Sequence, residues 1–299
     1  MSGPRALHGG PPSANKNPMD VAVPGARGDP MTGADKTKEF TTANRAAWEE
    51  AAPIHGQQNQ ARLIEEFSRP GFSCLDQVET NRLKALGVEG RDVAQICCNN
   101  GRELLSVKNM GAARCVGFDG AQGFVDQGRE LAKAGGLDVE FVCTDVYDID
   151  DGFARCFDLV TITIGVLGWM PDLQRFFSVV AKLIKPGGAL FIYEQHPILE
   201  MIEPADADTP IVWEFSYFNK KPYVETGGLD YYGGEKYDAK PATSFSHTMA
   251  EILMAGIDSG LAVEHIEEFP HHISNTWWNV EKSGIGLPMC YTLVLRKNI

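Results

Sequence analysis

Residues 93–102 read V-A-Q-I-C-C-N-N-G-R. Val93 to Cys98 is a short apolar run that predicts a β-strand, and Arg102 to Met110 has the pattern of a helix. Between them, N-N-G predicts a tight turn. A strand, turn and helix in this order aim backbone N–H groups and a helix N-terminus at the anionic end of a ligand. Gly101 permits close approach of the backbone. Asn99 and Asn100 tolerate unusual backbone angles better than most residues and can partly replace glycines.

The pattern continues outward from this turn. Arg114 to Phe118 is a second strand ending at Asp119, and Phe124, Val125, Gly128 and Leu131 recur at helical spacing. Val139 to Cys143 is a third strand ending at Asp145, and Phe157 to Ile164 is a fourth. Leu173, Phe176, Phe177, Val180, Leu183 and Ile184 mark one face of an amphipathic helix. Pro186-Gly187-Gly188 then turns the chain into a fifth strand, Ala189 to Tyr193. Apolar strands alternating with amphipathic helices predict a mostly parallel sheet covered on both faces. In such sheets, ligands sit outside the carboxyl ends of the strands.

An acidic side chain at Asp119 can accept both hydroxyls of a ribose. Asp145 can accept from an adenine amino group, and the Val146 backbone can serve the ring nitrogen beside it. Gly120, Thr163 and Gly165 lie where an adenosine would approach the backbone.

Four segments are expected. Residues 1–35 hold six Gly and six Pro with few large apolar side chains, which predicts a disordered tail. Residues 36–91 predict a helical cover, with Thr41 to Ala52 broken at Pro53 and two further pieces at Leu63 to Phe67 and Leu75 to Leu86. Residues 92–299 form the core. Residues 197–247 are an aromatic and Gly-rich insertion within it. Met249, Ile252, Leu253 and Ile257 restore a helix before two last strands, Leu261 to Phe269 and Met289 to Arg296.

The 299 residues are 43% hydrophobic, enough for a sizeable core. A net charge of −13 argues against nucleic acid and anionic membrane surfaces as partners. No apolar run approaches the ~18 residues of a membrane span. Seven Cys without a C-x-x-C pair fit neither a disulfide framework nor a zinc site, so a reducing, cytoplasmic setting is expected, with no metal.

The chain resembles the class I S-adenosylmethionine-dependent methyltransferases. The resemblance rests on V-A-Q-I-C-C-N-N-G-R, V-G-F-D, C-T-D-V-Y, F-D-L-V-T-I-T-I-G and L-I-K-P-G-G-A-L-F-I. It is similar to a branch of bacterial small-molecule enzymes of mostly unassigned substrate in N-R-A-A-W, N-N-G-R-E-L-L, Y-E-Q-H-P-I-L and H-T-M-A-E-I-L. The resemblance implies a three-layer Rossmann-like α/β fold, with a seven-stranded sheet whose last strand is antiparallel. It also implies S-adenosyl-L-methionine as cofactor and methyl transfer to O or N of a small molecule, an EC 2.1.1-type activity. Here Gln95 stands at the family's acid position, and Cys97 and Asn99 stand at its first two glycine positions. A non-catalytic cofactor-binding module, or another reaction in the same pocket, is the alternative. Either a monomer or a homodimer is compatible with the sequence.

The expected transfer site follows the fifth strand. Glu194 and His196 are two apart and so share one side of an extended chain. His196 is the expected base, since imidazole titrates near neutral pH. An aromatic lid is expected from Trp213, Tyr217, Tyr231 and Tyr232 of the insertion, with His247 beside it. Trp48 and His55 would cover the site from the N-terminal segment, and Trp169 from the end of the fourth strand.

Overall fold

The computed structural model describes residues 34–205, 207–230, 237–274 and 276–299. The opening run folds as β1 (Asp92–Ile96), with α3 (Arg102–Asn109) after the turn. β2 (Arg114–Asp119), α4 (Gln122–Gly135), β3 (Glu140–Cys143) and β4 (Phe157–Ile162) follow. α5 (Leu173–Leu183) leads into β5 (Ile184–Gln195). The fifth strand is thus longer than its apolar run predicts: it includes the Pro-Gly-Gly segment, with a register irregularity opposite Phe157 and Leu159. α6 (Met249–Asp258), β8 (Leu261–Phe269), α7 (Trp278–Ser283) and β9 (Cys290–Lys297) complete the core. The main sheet has the order β3-β2-β1-β4-β5-β9-β8. β1 to β5 pair in parallel, and β9 lies antiparallel between β5 and β8. This is the mostly parallel sheet that the strand–helix alternation predicts, in the Rossmann-like order, with an antiparallel strand, that the resemblance implies.

Burial on both faces explains the continuous apolar strands. Along β5, Leu190 and Ile192 pack with α5 and α6, meeting Phe176, Phe177 and Ile252. Ala189, Phe191 and Tyr193 point the other way, toward Leu83 of α2 (Gln77–Ala85) and Leu104 and Val107 of α3. The period-two alternation of a strand sends each set to its own core.

The N-terminal cover departs from expectation. α1 (Ala34–Phe67) is one helix that runs through Pro53 and takes in Leu63 to Phe67. A proline inside a helix costs about 3 kcal/mol, and contacts on both sides of Pro53 offset it. Ala51 and Ala52 are fully buried. The Glu49 carboxylate accepts from the Gly123 N–H, and the Ala52 carbonyl accepts from Gln127 Nε2 at 2.7 Å. His55 Nε2 lies 2.8 Å from the Leu229 carbonyl. The expected tail lies outside the described residues except for its last two, which already belong to α1.

The insertion begins with a helical turn, Pro197–Met201, and contains a two-stranded hairpin of β6 (Tyr223–Glu225) and β7 (Ala242–Ser244). Asn44 joins this hairpin to α1. Its Nδ2 donates to the Thr243 carbonyl at 2.8 Å, and its Oδ1 accepts from the Thr243 N–H at 2.7 Å. Asn44→Ala leaves two buried backbone groups unsatisfied. The expected loss is about 2–6 kcal/mol, at 1–3 per group. Urea unfolding checks this, and an unchanged midpoint would show that the pair does not fasten the cover.

Candidate active site

The turn after β1 is built by three residues in the left-handed region: Cys97 at φ 53°, Asn99 at φ 52° and Gly101 at φ 65°. Its hydrogen bonds define it. The Cys98 N–H donates to the Phe118 carbonyl (3.0 Å) and the Gly101 N–H to the Cys98 carbonyl (2.8 Å). The Asn99 N–H donates to Asp119 Oδ2 at 2.8 Å. At the third position only glycine fits, because a Cβ on Gly101 would lie 2.4 Å from the Phe141 ring. No side chain caps the first turn of α3, which Gly101 opens.

The two acids sit beside this turn. Asp119 Oδ1 accepts from the Ala121 N–H at 2.9 Å, so both carboxyl oxygens are aimed by backbone amides. Burial pushes this carboxyl up to about 6 despite those bonds. Asp145 Oδ1 accepts from the Tyr147 N–H at 3.0 Å, and its Oδ2 accepts from the Thr41 hydroxyl at 2.5 Å. α1 therefore touches the second acid. It also holds the loop after the first, where Arg45 Nε donates to the Gly120 carbonyl at 3.1 Å. Gln95 is buried and donates to Thr163 Oγ1 at 3.0 Å.

These groups line one cavity of about 710 Å³. Cys97, Asn99, Asn100, Asp119, Gly120 and Asp145 form one part of its wall. Val146, Thr163 and Gly165 also line it, whereas Gly101 lies behind the wall and packs on Phe141. Trp48 of α1 and Trp169 meet edge to face over it, with ring centroids 5.4 Å apart. Burial raises the Cys97 thiol well above its ordinary range, and the charges of Asp119 and Asp145 add to this.

The expected transfer pair is not brought together. Glu194 is buried and accepts four backbone N–H bonds: Gly165 (2.6 Å), Val166 (2.8 Å), Leu167 (3.2 Å) and Gln195 (2.8 Å). It lines the cavity but acts as the anchor of the loop after β4. His196 is absent from the lining. Its Nδ1 accepts from the Ile198 N–H at 3.1 Å, and its Nε2 lies 2.9 Å from Glu268. The expectation of a base at His196 is corrected on this geometry, because both ring nitrogens are engaged in capping and pairing outside the cavity.

The expected lid divides similarly. Trp48, Trp169 and His247 line the cavity, with His247 Nε2 held 2.9 Å from the Met170 carbonyl. His55 is buried away from it. Trp213 is 51% exposed and bridges to Ile202. The Tyr217 hydroxyl accepts from the Met249 N–H and so fixes the start of α6. Tyr231 and Tyr232 lie outside the described residues.

Several wall residues carry no periodicity that marks them. Thr41, Asn44 and Arg45 reach the cavity from the cover. Glu200 reaches it from the turn after β5, and Thr276 and Trp277 from the loop before α7. The N-R-A-A-W stretch contains Asn44 and Arg45, and nothing in the sequence marks Thr41 as a wall residue.

Residues 93–188 match the family model of a methyltransferase domain. A ubiquinone biosynthesis O-methyltransferase of Coxiella burnetii is 31% identical over 104 residues, 35% of this chain and 43% of that protein. The fold is similar to an S-adenosylmethionine-dependent methyltransferase of Mesorhizobium loti: TM-score 0.53, 21% identity, 73% of this chain and 97% of the other. A Burkholderia thailandensis 1,6-didemethyltoxoflavin-N1-methyltransferase, solved with S-adenosylhomocysteine, gives TM-score 0.52 at 15% identity over 88% and 91% of the two chains. The chain is similar in its core to class I S-adenosylmethionine-dependent methyltransferases, and the cofactor these likenesses indicate is S-adenosylmethionine. It spans 34% and 43% of the length of the first two curated relatives it matches.

The residues present fit that cofactor. The turn holds three left-handed positions, of which Cys97 and Asn99 line the cavity, and side-chain bulk at Gly101 or Gly120 would strike Phe141 or Arg45. Beside it stand two carboxyls already oriented by amides. Gly101→Ala is expected to lower stability by about 2 kcal/mol or more, from overpacking and φ strain. Cys97→Gly is expected to cost nothing or to gain up to ~1 kcal/mol, because it removes a left-handed non-glycine. Thermal unfolding of both variants tests this; a marked loss in Cys97→Gly would show that the thiol supports the turn.

Proposed function

We propose that the protein transfers a methyl group from S-adenosylmethionine to an oxygen or nitrogen of a small molecule by in-line displacement. The carrying observation is the single cavity that begins at the two strand-end acids and continues to Glu194, Glu200 and Trp277 beneath α1. A cavity of roughly 300–1,000 Å³ is of small-molecule size, and the surrounding chain is strongly acidic, which disfavours a polyanionic acceptor. The methyltransferase-domain match over residues 93–188 and the similarity to an O-methyltransferase support the reading.

Each wall group has a task in this scheme. Asp119 receives ribose hydroxyls, and Asp145 with the Val146 backbone receives the adenine edge. The uncapped start of α3 and the turn before it face a carboxylate. Trp48 and Trp169 exclude water, and Glu194 fixes the loop that forms the opposite wall. When bound, the cofactor supplies a methyl on a sulfonium, reactive enough that placement and desolvation are the protein's main contributions.

Among the described residues, no helix is long and apolar enough to cross a membrane, and all seven cysteines are free. A cytoplasmic enzyme is the setting we propose, as a monomer or a homodimer.

Calorimetric titration with S-adenosylmethionine is expected to give saturable binding; no heat at millimolar concentration would overturn the reading. Asp119→Ala is expected to weaken binding by ~1–3 kcal/mol, about 5- to 150-fold. Ribose hydroxyls donate to the ionised carboxyl. With Asp119 raised to about 6, affinity is therefore expected to rise between pH 5 and pH 7, and this rise should shrink in Asp119→Ala.

A further inference from the structure

Glu200 lies in the helical turn Pro197–Met201 and lines the cavity. It makes no hydrogen bond and no ion pair among the described residues. Every other acid on the wall is engaged. Asp119 and Asp145 accept from amides, Glu194 accepts four N–H bonds, and Glu103 pairs with Arg102 at 2.7 Å. The remaining titratable groups of the wall do not serve Glu200 either. Arg45 is bonded to the Gly120 carbonyl, and His247 to the Met170 carbonyl. The charge that acts on Glu200 is that of Glu194, of the same sign, from the end of β5.

A half-buried carboxyl with lone pairs to spare and a like charge beside it has an obvious deficit: a cation. S-adenosylmethionine carries its positive charge between its nucleoside and amino-acid ends. The first end belongs to Asp119 and Asp145, the second to the turn at 97–101. The cavity that holds those two ends also includes the end of β5 and the turn that follows it, where Glu200 stands.

We propose that Glu200 is the charge-selective contact of the cavity, favouring the sulfonium form of the cofactor over its uncharged, demethylated thioether. This rests on the reading of the cavity as the cofactor site. Burial, with Glu194 adding, pushes the Glu200 carboxyl up to about 7, so near neutrality its charge depends on what lies beside it. A sulfonium favours the carboxylate and drives its proton to the solvent. A thioether removes water without supplying charge and favours the protonated acid. After transfer, the same pocket is therefore less attractive to the product than to the cofactor that entered.

The test uses the full chain, S-adenosylmethionine and S-adenosylhomocysteine, with affinities measured by calorimetry at pH 6, 7 and 8. In the native protein, the preference for the sulfonium is expected to grow about tenfold or more from pH 6 to pH 8. In Glu200→Gln that growth is expected to be lost. The ligands' own amino groups titrate in this range, but they contribute equally in both proteins, so the difference isolates Glu200. The exchange keeps the side-chain volume and breaks no hydrogen bond seen among the described residues. A second measurement needs no variant: at pH 7, in buffers of different ionisation enthalpy, the sulfonium should release more protons on binding than the thioether. Equal pH dependence in the two proteins, or equal proton release by the two ligands, overturns the proposal while leaving the cofactor site standing. Failure of both ligands to bind overturns the cofactor reading itself.

Discussion

The four N–H bonds to Glu194 hold the site in shape. Three come from consecutive residues, Gly165, Val166 and Leu167, at the end of β4. The carboxylate itself rides on β5, so one buried side chain locks the loop of one strand to the end of its neighbour. Burial raises this carboxyl, and the four amides oppose the shift by solvating the charged form. Loose loop amides and a desolvated acid would each be costly alone. Together they satisfy one another and give the cavity a fixed wall.

The opposite side is closed by a different device. α1 reaches the second acid through Thr41, the loop after the first acid through Arg45, and the inserted hairpin through Asn44. None of these contacts is apolar. The helix carries its apolar contacts elsewhere, at Ala47, Ala51, Leu63 and Phe67, and uses its polar positions as fasteners. This is why Pro53 does not end it: bonds on either side hold the backbone in place.

The core was legible because its signals are local. A strand buried on both faces is continuously apolar, and an acid at its end stands where parallel sheets bind ligands. The wall beyond the acids was legible only in part. Spacing predicts that Glu194 and His196 share a side of the extended chain, but the sequence does not record which neighbours compete for them. Three of the four amides that take Glu194 come from the loop after β4 and the fourth from β5, and the Glu268 that takes His196 comes from β8. Glu200 left no trace in periodicity because its importance lies in the bonds it does not make. Pro53 misled because propensity is a local penalty and tertiary contacts outweighed it.

The turn at 97–101 shows what its chemistry requires. Cys97 and Asn99 hold the same sign of φ as Gly101, kept there by bonds to the Phe118 carbonyl and the Asp119 carboxylate. A ligand that lies along this backbone reads its course and is indifferent to which side chain hangs behind it. The information in this cradle is a torsion angle, and thiol, amide and hydrogen can each encode it at some cost in strain. A search keyed to spaced glycines passes over such a cradle, whereas one keyed to three positive φ values after a buried strand finds it.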